Sequence, residues 1–182
     1  SDPEAPLVVA YENLATQIQK RNPHFDIIGA KKLEIEHWQE GRKTEAFGWL
    51  LAQVHMRPDQ ISLWENIAEG YYRELNNHPS WMSKLDQFCN TMLSLPKERV
   101  IPRFYAAVHL SEIYKRLPYK IQIKYLQEAW NIAVSSMHPR LLLWMITRLV
   151  YYYESLKKKT AVEGLPTEIE TSEIFAYYFL YR

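Results

Sequence analysis

The chain has little glycine, almost no cysteine and no long apolar run, and each shortage removes a class of protein. Five glycines in 182 residues, with long unbroken stretches between the 10 prolines, favour helices joined by short turns over a β-rich fold. A lone cysteine, Cys89, makes an internal disulfide impossible, and its place beside Phe88 and Met92 on an apolar face predicts a small buried thiol. No run approaches the roughly 18 uninterrupted apolar residues of a membrane-spanning helix, and residues 1–6 hold no basic segment leading into an apolar one. A soluble, intracellular protein of cytoplasm or nucleus, with no membrane partner, is the expectation. Familiar catalytic patterns are missing as well. The six histidines, at positions 24, 37, 55, 78, 109 and 138, form no metal-ligand spacing, and there is neither a glycine-rich phosphate loop nor a G-x-S-x-G. The sequence therefore predicts a protein that is not an enzyme and carries no cofactor and no metal.

What is present is a large apolar content. At 47% apolar and 14% aromatic residues the chain is excluded from the disordered class, and its length suits one domain spanning 1–182. Charge is balanced overall at +1 but unevenly placed: residues 1–91 hold 9 basic and 13 acidic side chains, residues 92–182 hold 13 and 8. Between Lys97 and Lys159 only Glu98, Glu112, Glu128 and Glu154 oppose 12 basic residues.

The stretch from Asp26 to Pro96 reads as two copies of one helical hairpin set 34 residues apart, in which Ala30, Leu33, Glu34 and His37 recur as Trp64, Ile67, Ala68 and Tyr71. Ala46, Leu50 and Pro58 fill the later slots of the first copy. Phe88 and Pro96 fill those of the second four residues late, as a four-residue insertion in the turn Asn76-Asn77-His78-Pro79-Ser80 produces. This spacing resembles the tetratricopeptide repeat, W-x2-L-G-x2-Y, then A-x3-F, then P. Ala30, Glu34 and His37 depart from the tryptophan, glycine and tyrosine of that pattern. Ala107, Leu110, Ser111 and Tyr114 repeat the first-helix spacing, and the shifts from Trp64 to Ala107 and from Pro96 to Pro139 are both 43 residues. A fourth first-helix is expected in Leu143, Ile146, Thr147 and Val150.

The resemblance implies an all-α, right-handed α-solenoid of antiparallel helix pairs, with about eight to nine helices. Its expected parts are an N-terminal helix over 5–21, repeats over 26–58, 59–98 and 99–139, and a divergent hairpin or cap over 140–182. In finer detail, Asp26 and Thr44 are expected as helix N-caps, Gly41 as a left-handed C-terminal residue, and Ala68 as a small residue admitting a neighbouring helix closely. The aromatic helix Thr167 to Arg182 is expected to cover the open end of the stack.

In such stacks the first helix of each hairpin lines a concave groove. Helical spacing from the repeat register then points outward with Lys31, Ile35 and Trp38 in the first copy, Glu65, Glu69, Tyr72 and Arg73 in the second, and Tyr105, Glu112, Lys115 and Arg116 in the third. Lys31, Asn66 and Arg73 do not reproduce the arrangement with which carboxylate-binding members hold chaperone tails. The resemblance implies a non-catalytic module that binds a peptide or helix of another protein through Lys31, Trp38, Glu65, Glu69, Tyr72, Arg73, Lys115 and Arg116, as part of a larger protein or assembly. An apolar anchor beside acidic residues is the expected ligand, since the groove grades from Arg73, Lys115 and Arg116 at a positive end to Glu65 and Glu69 at the other. The alternative is a nucleic-acid (RNA) binder using the basic segment 97–159, with Tyr105, Tyr114, Tyr119, Tyr125 and Trp130 interleaved. The oligomeric state is left open.

Overall fold

The computed structural model describes residues 27–113 and 119–148, together with Asn13, Gln17 and Lys20. Among them there is no strand. The helices are α1 (Ile27–Gln39), α2 (Lys43–Met56), α3 (Ile61–Tyr71), α4 (Pro79–Leu93), α5 (Val100–Ile113) and α6 (Tyr119–Ser136), followed by α7 over 139–148. Asn13, Gln17 and Lys20 are helical and exposed, and their spacing puts them on one helix face away from the apolar stripe of the expected 5–21 helix. The rest of that helix, the Asp26 cap, Val150 and the aromatic segment 167–182 lie outside the described residues. The chain divides into two compact units, Ser1–Pro102 and Arg103–Arg182.

The first unit is built around α2. Ten of its residues, from Thr44 and Ala46 through Val54, are buried, so it has apolar neighbours on most sides. Helix α1 reaches it through a tight turn that the sequence dictates at Gly41. There φ is +78°, Gly41 N–H donates to the Trp38 carbonyl at 3.1 Å, and Arg42 N–H donates to the His37 carbonyl at 2.8 Å. This paired closure satisfies the last carbonyls of α1 and reverses the chain. Consequently α1 and α2 run antiparallel: His37 lies against Trp49, near the turn, and Ala30 packs with Trp49 and Ala52 further along. Thr44 does not cap α2. The cap position is Arg42, without a side-chain hydrogen bond, and the buried Thr44 hydroxyl accepts from Trp81 Nε1 at 3.1 Å.

Helices α3 and α4 form the second hairpin, with Trp64 beside Phe88 and Tyr71 beside Trp81 at ring separations of 5.9 and 5.7 Å. The order of those contacts shows the two helices antiparallel. Trp64 Nε1 donates to the Pro58 carbonyl at 2.8 Å, which fixes the start of α3 to the end of the first hairpin. Phe47 stacks on Trp81 at 5.0 Å and tilts against Tyr71 at 5.4 Å, so α2 joins the hairpins through aromatic contact. The pattern residues Ala30, His37, Trp64, Ile67 and Tyr71 are buried, as is Glu34, whereas Ala68 is only half-buried and not enclosed as the register suggested. Cys89 is buried, and burial pushes its thiol well above the ordinary range.

In the second unit, Phe104 on α5 meets Trp144 on α7 edge to face at 5.7 Å, and Glu112 pairs with Arg148. Contacts in the same order along both helices mean that α5 and α7 run in the same sense. Leu126, Ala129, Trp130 and Ala133 of α6 are buried, but Ile121 stays exposed. Helix α7 corrects the fourth-repeat register. Leu143, Ile146 and Thr147 face outward, while Leu141 and Met145 are the residues buried. The apolar residues of α7 occur on both faces, and Trp144 and Arg148 follow the buried side because Phe104 and Glu112 receive them there.

Candidate docking cleft

Helices α1 and α3 are not joined through a hairpin turn, yet they face each other across a cleft of about 440 Å³. Trp38 closes one end by an edge contact to Tyr71, centroids 5.1 Å apart. From α1, the exposed Lys31 and Ile35 and the half-buried Trp38 reach the cleft; from α3 come Asn66, Glu69 and Gly70. A β-carbon added at Gly70 meets nothing within 4 Å, so this wall is low because its residue lacks a side chain. Ile35 is 45% exposed, a large apolar side chain presented beside the opening.

The floor is polar where the sequence pattern calls for glycine. Glu34 lines the cleft yet is only 8% exposed, and its Oε2 has no hydrogen-bond partner. Burial pushes its carboxyl up, against the opposing pulls of Lys31 and of a hydrogen bond with Gln53. Gln53 itself is fully enclosed on α2, with Nε2 donating to the Trp49 carbonyl at 3.2 Å. Tyr71 also lines the cleft, and its hydroxyl is held well above the ordinary range by burial first and by the charge of Glu34 second. His37, one turn along α1, donates from Nδ1 to the Leu33 carbonyl at 2.8 Å.

Beyond the Trp38 end the cations are engaged. Lys43 Nζ donates to Glu74 Oε1 at 2.7 Å and lies 5.1 Å from the Trp38 ring centre, and Arg42 pairs with Glu40. The Lys43 hydrogen bond in turn draws the Glu74 carboxyl below its ordinary range.

Of the expected binding residues, the cleft brings together Lys31, Trp38 and Glu69. Glu65 and Tyr72 are half-buried and Arg73 is exposed, but none of the three is among the cleft-lining residues. Tyr105 is buried in the second unit instead of facing a groove, and Glu112 is engaged by Arg148. Lys115 and Arg116 lie outside the described residues. Sequence reasoning missed Glu34, Gly70 and Tyr71 as cleft residues. The available signal was the carboxylate itself, an ionisable group at an inward slot.

Part of the basic segment 97–159 lies within the described residues. Tyr105 and Trp130 are enclosed in the core, Tyr125 is half-buried, and Tyr114 and the Tyr119 side chain fall outside what is described. Arg99 pairs with Asp59 at 3.3 Å, and Arg148 with Glu112. Among the described residues no group of three or more His, Cys, Asp and Glu side chains is placed to hold a metal ion, and no helix is long and apolar enough to cross a membrane.

No protein-family model matches this chain, and neither a curated protein nor a solved structure is significantly similar to it.

Proposed function

We propose that the first unit is a non-catalytic docking module that holds a helix or extended peptide of another protein in the cleft between α1 and α3, within a larger assembly. The observation that carries this reading is the cleft itself: an open concavity of about 440 Å³ between two helices, edged by the exposed Ile35 and floored by aromatic and polar groups. Protein ligands that enter helix-lined grooves anchor through a few apolar side chains and gain orientation from a few polar ones, and this cleft offers both. A tetratricopeptide-like stacking of the hairpins is part of the proposal, supported by the 34-residue recurrence and by the inward placement of Ala30, His37, Trp64 and Tyr71.

The test is a peptide-display selection against the full chain, repeated with Ile35→Ser and Gly70→Trp. Ile35 is exposed and Gly70 borders open space, so both variants should fold. Selected peptides should lose about ten-fold or more in affinity to each variant, as truncating or blocking an anchor site does. Peptides that bind wild type and both variants equally remove the cleft as the docking surface.

A further inference from the structure

We infer that the occupant of the α1/α3 cleft presents a basic side chain, Lys or Arg, next to an apolar one. This inference rests on the docking reading above and specifies its ligand.

Three observations converge. First, the cleft is lined by two carboxylates, Glu34 and Glu69, against a single ammonium, Lys31. They stand on opposite walls, Glu34 on α1 and Glu69 on α3, and a ligand cation beside them favours the ionised form of Glu34 that burial alone disfavours. Second, Glu34 Oε2 is an acceptor without a donor on a side chain more than nine-tenths enclosed. A ligand that brings a hydrogen-bond donor satisfies this acceptor. A carboxylate on the ligand brings none and adds like-charge repulsion. Third, two neighbouring cations are already engaged: Arg42 pairs with Glu40 and Lys43 with Glu74. Arg73, which the sequence register offered as the positive end of a groove, is not among the cleft-lining residues. The charge preference is therefore opposite to that expected from sequence. Ile35 at the opening supplies the contact for the adjacent apolar side chain.

The experiment uses the full chain and three pools of fluorescent peptides of about twelve residues, long enough for roughly three helical turns. Every peptide carries one fixed leucine, and a second fixed position holds Arg, Gln or Glu according to the pool. The Arg pool should bind at least about ten-fold more tightly than the Glu pool, with the Gln pool between them. Glu69→Lys, on an exposed position, should abolish or invert that order, and Glu34→Gln should shrink it. Equal binding of the three pools, or an unchanged order in Glu69→Lys, overturns the inference. If Glu34→Gln does not fold, the Glu69→Lys result decides alone. Failure of the docking reading has a different signature: no pool binds, or binding is indifferent to Ile35→Ser and Gly70→Trp. Binding that those two variants abolish but that ignores ligand charge leaves the docking reading standing and sinks only the charge preference.

Discussion

Trp81 links α4 to both α2 and α3 in the first unit. It is fully buried, stacks on Phe47 at 5.0 Å and on His78 at 4.1 Å, and gives its Nε1 proton to Thr44. Trp81→Ala removes packing and polar contact together and should destabilise by about 3–5 kcal/mol, read from chemical denaturation. Trp81→Phe keeps most of the ring and loses the hydrogen bond, so its cost should be smaller, about 1–2 kcal/mol. Glu34 governs a pH response instead. Because burial raises its carboxyl, the fold prefers the protonated form. That preference is fully expressed below the ordinary carboxylate range and is lost as pH rises through the folded value. Tm should therefore fall across that rise in the wild type and respond less in Glu34→Gln. If Tm changes with pH identically in both proteins, Glu34 plays no part in the response.

At the scale of the element, two glycines act in opposite ways. Gly41 occupies left-handed backbone that an L side chain enters only with strain, so Gly41→Ala should destabilise the α1–α2 hairpin by about 1 kcal/mol although no atom lies near the new methyl. Gly70 lies within helix α3 with ordinary φ and open space beside it, so Gly70→Ala should stabilise by up to about 1 kcal/mol. Thermal melts of the two variants should move in opposite directions. The helices themselves were legible in the sequence because periodicity depends on nearest turns: Ala46 and Leu50, which fill the later slots of the first copy, are both buried. Helix α7 was misread because Leu143 and Ile146 satisfy a helical spacing as well as Leu141 and Met145 do. Which face is covered depends on Phe104 and Glu112, about forty residues earlier in the chain. Thr44 was taken for a cap because its residue type suits one, but a distant tryptophan claimed its hydroxyl.

For the whole molecule, the candidate site was legible only in outline. Lys31, Ile35, Trp38 and Glu69 followed from the repeat register, and they do line or edge one cleft. Its electrostatic sign was not legible, because it depends on which cations Glu40 and Glu74 engage and on the enclosure of Glu34 against Gln53 of α2. The central claim is that a partner segment docks between α1 and α3. Its isoleucines provide built-in probes: Ile35 edges the cleft, while Ile121 and Ile146 are exposed on the second unit. The most direct measurement is methyl NMR of isoleucine-labelled full chain titrated with a peptide from the display selection. The Ile35 methyl signal should shift progressively and saturate, with Ile121 and Ile146 unmoved. Saturating shifts at Ile121 or Ile146 with Ile35 unchanged would contradict the claim and place the binding surface elsewhere.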